Sequence, residues 1–214
     1  IVPLSSHGGT IGLLCVTKRN PYEFDRDVIT ILYAFADMVS VAMENSRLIR
    51  ESIVKERMEQ ELLVAQQMQQ SLLPQSLPSS PRYDIAARSI PAYEVGGDYY
   101  DVQDVGPSKL GMVVGDVSGK GVSAALYMAQ LKGMFQTYSA GASDAGDLLR
   151  RLNETLCRSM DRRSFISLLY AMLDTEHGEL RFARAGHCPV LYIHEGEARY
   201  LQPPGIALGL DGGE

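Results

Sequence analysis

The longest uninterrupted feature of the sequence is a stretch without glycine or proline that runs from Tyr22 to Leu73. Residues of high helix propensity dominate this stretch, and Asp25 near its start is a favourable N-cap. Pro74 and Pro78 follow directly, and proline does not continue a helix. The stretch therefore predicts one long helix that separates a short N-terminal segment from a larger C-terminal one.

The two halves of this predicted helix differ in their apolar pattern. The first half carries a wide apolar stripe, as in a helix packed on a domain. The stripe consists of Ile31, Leu32, Phe35, Met38, Val39 and Ala42. The second half is highly charged between Arg50 and Glu61, and its apolar positions follow a spacing close to seven residues. These positions are Met58, Leu62, Ala65 and Leu72. The helix either packs along its own domain or is a signalling helix that pairs with a second copy, and the sparse apolar surface of its middle section favours a homodimer.

Alternating apolar segments on both sides of the helix predict strands. Ile1 to Val16 has the pattern of two strands joined by a turn at residues 7–9. Beyond Pro81 the predicted strands are residues 85–89, 97–103, 110–115, 165–173, 180–183, 190–194 and 198–201, and the predicted helices are residues 122–138 and 145–160. Antiparallel strands in blocks, with the helices inserted as a pair, indicate an α+β layered fold and not a parallel βαβ sheet.

Composition and charge exclude several classes of function. The formal net charge of −6 argues against binding of nucleic acid through a basic surface. No apolar run approaches the ~20 residues of a membrane span, so no membrane association is expected in this segment. The three cysteines, Cys15, Cys157 and Cys188, are scattered and lie outside any CxxC motif. This pattern fits a reducing cytoplasm and not a disulfide framework or a zinc site.

The segment richest in chemistry is a pair of predicted strands on either side of Pro107. Gly106, Pro107 and Ser108 are a strong turn signal, so residues equally distant from Pro107 face each other if the strands form a regular hairpin. Asp98 and Asp116 are then directly opposite, with Cβ atoms ~4.5 to 5.5 Å apart on the same face. Two carboxylates this close repel each other unless a proton or a cation separates them.

The paired aspartates offer only hard oxygen donors, which match Mg²⁺ or Mn²⁺ and not zinc or copper. Two such ions ~3.5 to 4 Å apart can activate water for an in-line displacement at phosphorus. The alternative is that both aspartates are solvated residues at strand ends, and a register slip of one residue would break the pairing. Asp101 has the opposite parity and is expected to face away, in a structural or indirect role. Asp104 lies near the turn and is expected to be solvated.

Two other known motifs do not fit this segment. Residues 115–120 look like a Walker A loop, but the spacing of the glycines is too short and Gly121 stands where Ser or Thr is required. Residues 96–98 begin like the GGDEF signature of diguanylate cyclases, but Tyr99 and Tyr100 stand where Glu and Phe would be. Neither a nucleoside triphosphatase nor a cyclase is therefore predicted.

Residues 96–101 and 115–121 together resemble the SpoIIE-like branch of the PPM-type (protein phosphatase 2C) metal-dependent serine/threonine phosphatases. Three more segments match this family in the right order. Residues 66–74 (QQMQQSLLP) look like its lead-in helix, residues 165–174 like its central strand and residues 185–189 (AGHCP) like its AGH-x-P turn. A second resemblance lies before these segments.

The stretch from Val2 to Arg50 resembles the end of a GAF sensory domain, through residues 3–4, 11–14, 22–24 and 42–45. On the two resemblances, residues 1–48 are the C-terminal part of a GAF-like sensor, and residues 49–81 are a helical linker with coiled-coil character. Residues 82–214 are then a phosphatase domain that is incomplete at its C-terminus.

The phosphatase resemblance implies an antiparallel β-sandwich flanked by helices. It implies that Asp116 bridges two Mn²⁺ or Mg²⁺ ions, that Asp98 is the second acidic group, and that the backbone carbonyl of Val117 is a further ligand. The implied substrate is a phosphoserine or phosphothreonine on a regulatory protein, an anti-sigma-factor antagonist of bacterial partner switching. His187, in the AGH turn, is expected to be structural, because a lone histidine needs a partner to act as a base.

One departure from the family pattern leaves two interpretations open. The family completes its metal site with later aspartates, typically in a Thr-Asp-Gly motif, and neither Asp174 nor Asp211 occupies such a motif. The sequence is therefore expected to be a fragment of an active phosphatase. The alternative is a degenerate relative that binds its partner as a signalling module without hydrolysis.

Overall fold

The structure, a computed structural model, describes residues 1–6, 9–19 and 24–210. The chain divides into two compact units, Ile1–Glu61 and Leu62–Glu214. The turn predicted around His7, part of the GAF-like pattern at residues 22–24, and Asp211 lie outside the described residues. None of the described helices has the length and hydropathy needed to cross a bilayer.

The N-terminal unit consists of a β-hairpin and most of the predicted long helix. Strand β1 (Val2–Ser6) pairs antiparallel with β2 (Gly9–Leu14), and helix α1 spans Arg26–Leu72. The helix begins directly after Asp25, as predicted: the Asp25 carbonyl accepts the first helical hydrogen bond, from the amide of Ile29 at 3.0 Å, and its Oδ1 accepts from the amide of Arg26 at 2.7 Å. The long helix and its start are therefore confirmed.

The hairpin covers one side of the helix only. Val2, Leu4 and Ala36 are buried together and form a small core, against which Leu14, Leu32 and Val39 pack. Three other members of the predicted apolar stripe have side chains that are more than half exposed to solvent: Ile31, Phe35 and Met38. The sequence pattern predicted a stripe packed on a domain, and the two-stranded hairpin covers only part of it, around Ala36.

The C-terminal unit is built on a four-stranded antiparallel sheet. Its strands are β3 (Asp98–Gly106), β4 (Lys109–Val117), β5 (Ile166–Asp174) and β6 (Glu179–Ala185), in that spatial order. Two helices, α2 (Val122–Tyr138) and α3 (Ala145–Ser159), connect β4 to β5, and a second hairpin is formed by β7 (Val190–His194) and β8 (Glu197–Leu201). The predicted α+β class with antiparallel sheets is confirmed.

One face of this sheet packs against the two helices. Tyr99, Phe135 and Tyr170 are fully buried between sheet and helix, and Phe135 meets both tyrosine rings edge to face with centroids 6.3 and 5.7 Å apart. Helix α3 begins at its cap Asp144, whose carboxylate accepts from the amide of Asp147 at 2.8 Å. Because side chains alternate along a strand, every second residue of β3, β4 and β5 points to this core, and the others point to the opposite face.

The predicted strand at residues 85–89 is wrong. These residues belong to no strand that the structure describes and pair with none. An alternating pattern indicates extended backbone, but a strand also needs a partner with free hydrogen-bonding groups. Strand β3, which begins shortly after this segment, is an edge strand of the sheet, and residues 85–89 form no ladder with its outer edge.

A buried ion pair joins the sheet to helix α2. Asp101 is 5% exposed, and its Oδ2 accepts from the Nζ of Lys132 at 3.2 Å and from the hydroxyl of Tyr99 at 2.9 Å. Burial, followed by the negative charge of Asp101, raises the pKa of the Tyr99 hydroxyl, so this group remains a donor. Asp101 is thus fully engaged in the core, as its predicted parity implied.

Lys132→Met should destabilise the chain, because it leaves the buried carboxylate of Asp101 without its counter-charge. Removing one partner of a buried ion pair costs about 3 kcal/mol. Urea unfolding of the single variant measures the loss, and the double variant Asp101→Asn/Lys132→Met should recover part of it. A single variant within about 0.5 kcal/mol of wild type would contradict a buried, charge-compensated Asp101.

Candidate metal centre

The two predicted aspartates face each other in the structure. Asp98 on β3 is the cross-strand partner of Asp116 on β4, and the predicted register holds from this pair as far as Asp104 opposite Leu110. An irregularity between Asp104 and Gly106 then shifts the register next to the turn. Neighbouring Tyr99 points into the core, so Asp98 and Asp116 (hereafter the aspartate pair) lie on the sheet face turned away from the helices.

The aspartate pair is electrostatically uncompensated within the described part of the chain. Neither carboxylate forms a salt bridge with a described lysine or arginine side chain. Partial burial and then repulsion from Asp98 raise the pKa of Asp116 above its usual value, and His187 opposes this shift. Two like charges held together without a counter-ion are the setting in which a cation is bound most favourably.

A close backbone approach lies beside the pair. The amide of Val117 donates to the carbonyl of Gly97 at 3.3 Å, and a Cβ at position 97 would stand only 2.6 Å from the Val117 carbonyl oxygen. The amide of Ser118 donates to the carbonyl of Phe165 at 2.8 Å, which ties the same turn to the residue just before β5. Gly97 is therefore required by sterics, and it allows the Val117 carbonyl to lie next to the start of β3.

A serine and a histidine that the sequence did not bring together adjoin the pair. Ser167 on β5 is the cross-strand partner of Asp116, and its hydroxyl lies 2.9 Å from Nδ1 of His187. Gly186, with φ +65°, makes the turn that presents His187, and Arg184 donates to the His187 carbonyl at 2.6 Å. Burial lowers the pKa of His187, against the opposing effect of Asp116 and Asp98. The sequence marked His187 through its AGH turn, whereas Ser167 was only a polar residue in a mainly apolar strand, with no sign that the two are in contact.

The other acidic residues considered from the sequence are held elsewhere. Asp101 is buried on the opposite face of the sheet. Asp174 lies at the far end of β5, opposite Lys109, where hydrogen bonds from His177 lower its pKa to about 2. Asp104 is exposed near the turn, as expected. Only Asp98 and Asp116 therefore contribute carboxylates to this site among the described residues.

The residues present fit a hard divalent cation. The donors are two carboxylates with no counter-charge, beside a main-chain carbonyl whose glycine neighbour leaves the approach open. Carboxylate and carbonyl oxygens are the ligands of Mg²⁺ and Mn²⁺. Among the described residues, no group of three or more His, Cys, Asp or Glu side chains could hold a metal. The donor set in this part of the chain is therefore a partial one.

The fold is that of a protein phosphatase 2C domain. The SiaA-PP2C domain of Pseudomonas aeruginosa superposes with a TM-score of 0.58 over 73% of this chain and 64% of that domain, at 20% identity. The family model described as Stage II sporulation protein E (SpoIIE) matches residues 106–214. The chain belongs to the SpoIIE family, and the resemblance inferred from its motifs is confirmed.

Two curated relatives are of bacterial origin. Phosphoserine phosphatase RsbU of Bacillus subtilis is 30% identical over 137 residues, which cover 63% of this chain. Protein IcfG of Synechocystis is 30% identical over 166 residues, which cover 64% of this chain. The chain spans 40% of the length of RsbU and 26% of IcfG, so the similarity concerns one part of each relative.

Gly97→Ala should displace the Val117 carbonyl, because the new methyl group would stand 2.6 Å from its oxygen. Such overpacking against backbone costs about 2 kcal/mol, measurable by urea unfolding. The matched control is Gly96→Ala, whose Cβ would make only ordinary contacts, with Pro91 at 3.5 Å and the backbone nitrogen of Asp98 at 4.0 Å. Equal stabilities of the two alanine variants would contradict the close approach at Gly97.

Asp116→Asn should stabilise the metal-free chain at neutral pH. The pKa of Asp116 is raised in the folded state, so its ionisation costs folding free energy as pH rises through that value. Unfolding followed at pH 7 and near pH 3 should show a gain for the variant that disappears at the lower pH. Asp104→Asn, on the same hairpin, makes the same change in net charge and is the control. A loss of stability in Asp116→Asn at pH 7 would mean that the carboxylate has a structural role.

Proposed function

We propose that the chain is the catalytic part of a metal-dependent serine/threonine protein phosphatase of bacterial signalling. The observation that carries this proposal is the aspartate pair, two uncompensated carboxylates held face to face by the β3–β4 register. Membership of the SpoIIE family and the similarity to a protein named phosphoserine phosphatase support it. The reaction is hydrolysis of a phosphoric monoester.

The chain's own residues have distinct parts in this proposal. Asp116 and Asp98 are the carboxylate ligands, and the Val117 carbonyl is the main-chain ligand. When bound, Mn²⁺ or Mg²⁺ ions would lower the pKa of water and neutralise charge on the phosphoryl group. Gly97 keeps the ligand carbonyl accessible, and the β3–β4 ladder holds the two carboxylates at one spacing, so that little reorganisation is needed on binding.

The substrate we propose is phosphoserine or phosphothreonine on a regulatory protein of the anti-sigma-factor antagonist type. Its basis is the family and the similarity to RsbU, which is named a phosphoserine phosphatase. The scattered free cysteines support action in the cytoplasm.

A sensor and a dimer helix complete the proposal. We assign residues 1–48 to the end of a GAF-like domain and residues 49–81 to a linker that pairs with its copy. Several charged side chains of this part of α1 form ion pairs within the helix: Lys55 pairs with Glu59, and Arg57 pairs with Glu61. Apolar Ile49, Ile53 and Met58 are each about 60% exposed. Exposed apolar side chains that lie between residues already engaged in ion pairs within the helix favour pairing with a second helix.

One observation favours a second candidate, a non-catalytic module that binds its partner without hydrolysis. The described residues provide two carboxylates at the site and no cluster of three potential side-chain ligands. A partial donor set binds Mg²⁺ or Mn²⁺ weakly, so turnover depends on further ligands. Turnover by the full-length gene product separates the two candidates.

Hydrolysis of a phosphoserine peptide by the full-length protein should require Mn²⁺ or Mg²⁺ and should stop on chelation. Asp116→Asn should lower kcat by at least about 100-fold, since it removes a metal ligand. Asp104→Asn, exposed on the same hairpin, is the matched control and should behave like wild type. An unchanged rate in Asp116→Asn would end the phosphatase proposal, and a wild-type protein that binds its partner without turnover would favour the non-catalytic module.

A further inference from the structure

A glutamine near the end of helix α1 forms two hydrogen bonds with one backbone unit beside the aspartate pair. The side-chain Nε2 of Gln69 donates to the carbonyl of Gly96 at 2.6 Å, and the amide of Gly96 donates to Oε1 of Gln69 at 2.9 Å. Both bonds are partly buried, and both lie within the C-terminal unit. We call this two-bond contact the amide clamp.

The amide clamp replaces a missing strand. A primary amide has the same donor and acceptor as a peptide unit, so it can pair with the backbone as a neighbouring strand would. Strand β3 begins at Asp98 and is an edge strand, so the backbone just before it has no neighbouring strand on that side. Gln69 satisfies these backbone groups and fixes where the chain enters β3.

The clamped residue is next to the site in sequence and in space. Gly96 precedes Gly97, which bonds to the backbone of Val117, and Gly97 precedes Asp98. Gln69 and Asp98 also line one cavity of about 270 Å³. A shift of Gly96 is therefore transmitted over two peptide units to a carboxylate and to the carbonyl that we propose as ligands.

Glycine at position 96 is not explained by sterics. A Cβ there would make two ordinary contacts, with Pro91 at 3.5 Å and the backbone nitrogen of Asp98 at 4.0 Å, whereas a Cβ at Gly97 would collide with backbone. The local conformation of residue 96 is therefore not imposed by crowding. Instead, the two hydrogen bonds with Gln69 restrain the backbone of Gly96 from a distant part of the sequence.

We propose that Gln69 is a positioning residue for the metal centre, acting through Gly96 to hold Asp98 and the Val117 carbonyl at ligand spacing. This inference rests on the proposed function, because it concerns the same metal ligands. Groups that orient metal ligands without touching the metal typically contribute 10- to 100-fold to metal affinity, roughly the effect expected here. The amide clamp also makes the last turns of α1 part of the site's framework.

The end of α1 is held independently of the amide clamp. Leu72 and Leu73 pack against the main core, and Gln75 donates to the carbonyls of Gln70 and Leu73 at 3.0 Å. Loss of the Gln69 side-chain amide should therefore leave the helix end and the fold in place. This separates a positioning role from a role in folding.

The test substitutes Gln69→Met, which keeps the length and helix propensity of the side chain and removes both hydrogen bonds. Mn²⁺ binding to the full-length protein, followed by electron paramagnetic resonance of free Mn²⁺, should weaken about 10-fold. Exchange of the Gly96 amide proton should accelerate, while the midpoint of thermal unfolding should change little. Gln67→Met, an exposed glutamine on the same helix, is the matched control and should bind like wild type.

The outcomes distinguish the clamp from the proposed function. If wild type binds Mn²⁺ and Gln69→Met binds it equally well, the positioning role is overturned. If wild type binds no Mn²⁺, the proposed metal centre is wrong. The clamp is then tested by hydrogen exchange of the Gly96 amide alone, and equal exchange rates in wild type and Gln69→Met overturn it. If Gln69→Met unfolds, Gln69→Glu takes its place, since it keeps the acceptor for the Gly96 amide. Retained protection of that amide then supports the clamp, and lost protection overturns it.

Discussion

The geometry of the site depends on a single strand register. Because β3 and β4 pair with Asp98 opposite Asp116, two carboxylates lie on one face, while Tyr99 and Asp101 point into the core on the other. A slip of one residue would place an aspartate opposite an apolar or glycine position and would turn the core residues to solvent. The buried contacts of Tyr99 and Asp101 therefore stabilise the register. The carboxylates of Asp98 and Asp116 depend on this register for their position and do not stabilise it.

The arrangement separates stability and function between the two faces of one sheet. On the core face, Asp101 is neutralised by Lys132 and bonded to Tyr99. On the other face, Asp116 has a raised pKa and no described cationic side chain in a salt bridge with it. A carboxylate that is costly to ionise in the folded chain is a poor structural element and a good cation ligand. Unfavourable electrostatics of this kind are common at functional sites.

Local sequence signals predicted the elements well, and contacts between distant segments poorly. The turn at Pro107 was sufficient to predict the Asp98–Asp116 register, and helix α2 has the bounds that its pattern predicted. The strand at residues 85–89 was wrong, because periodicity carries no information on a pairing partner. The contact of Ser167 with His187 and that of Gln69 with Gly96 join segments 20 and 27 residues apart, which no local pattern relates. The family could be predicted from the order of its motifs, because five motifs that are each weak become specific when they occur in the family's order.

A crystal structure of the protein grown with Mn²⁺ and measured for anomalous scattering shows whether the aspartate pair binds a divalent metal. An anomalous peak bonded to carboxylate oxygens of Asp98 and Asp116 is expected, at about 2.0 to 2.4 Å as for other hard cations. Ordered Asp98 and Asp116 side chains that point away from each other, with no anomalous peak between them at saturating Mn²⁺, would contradict it.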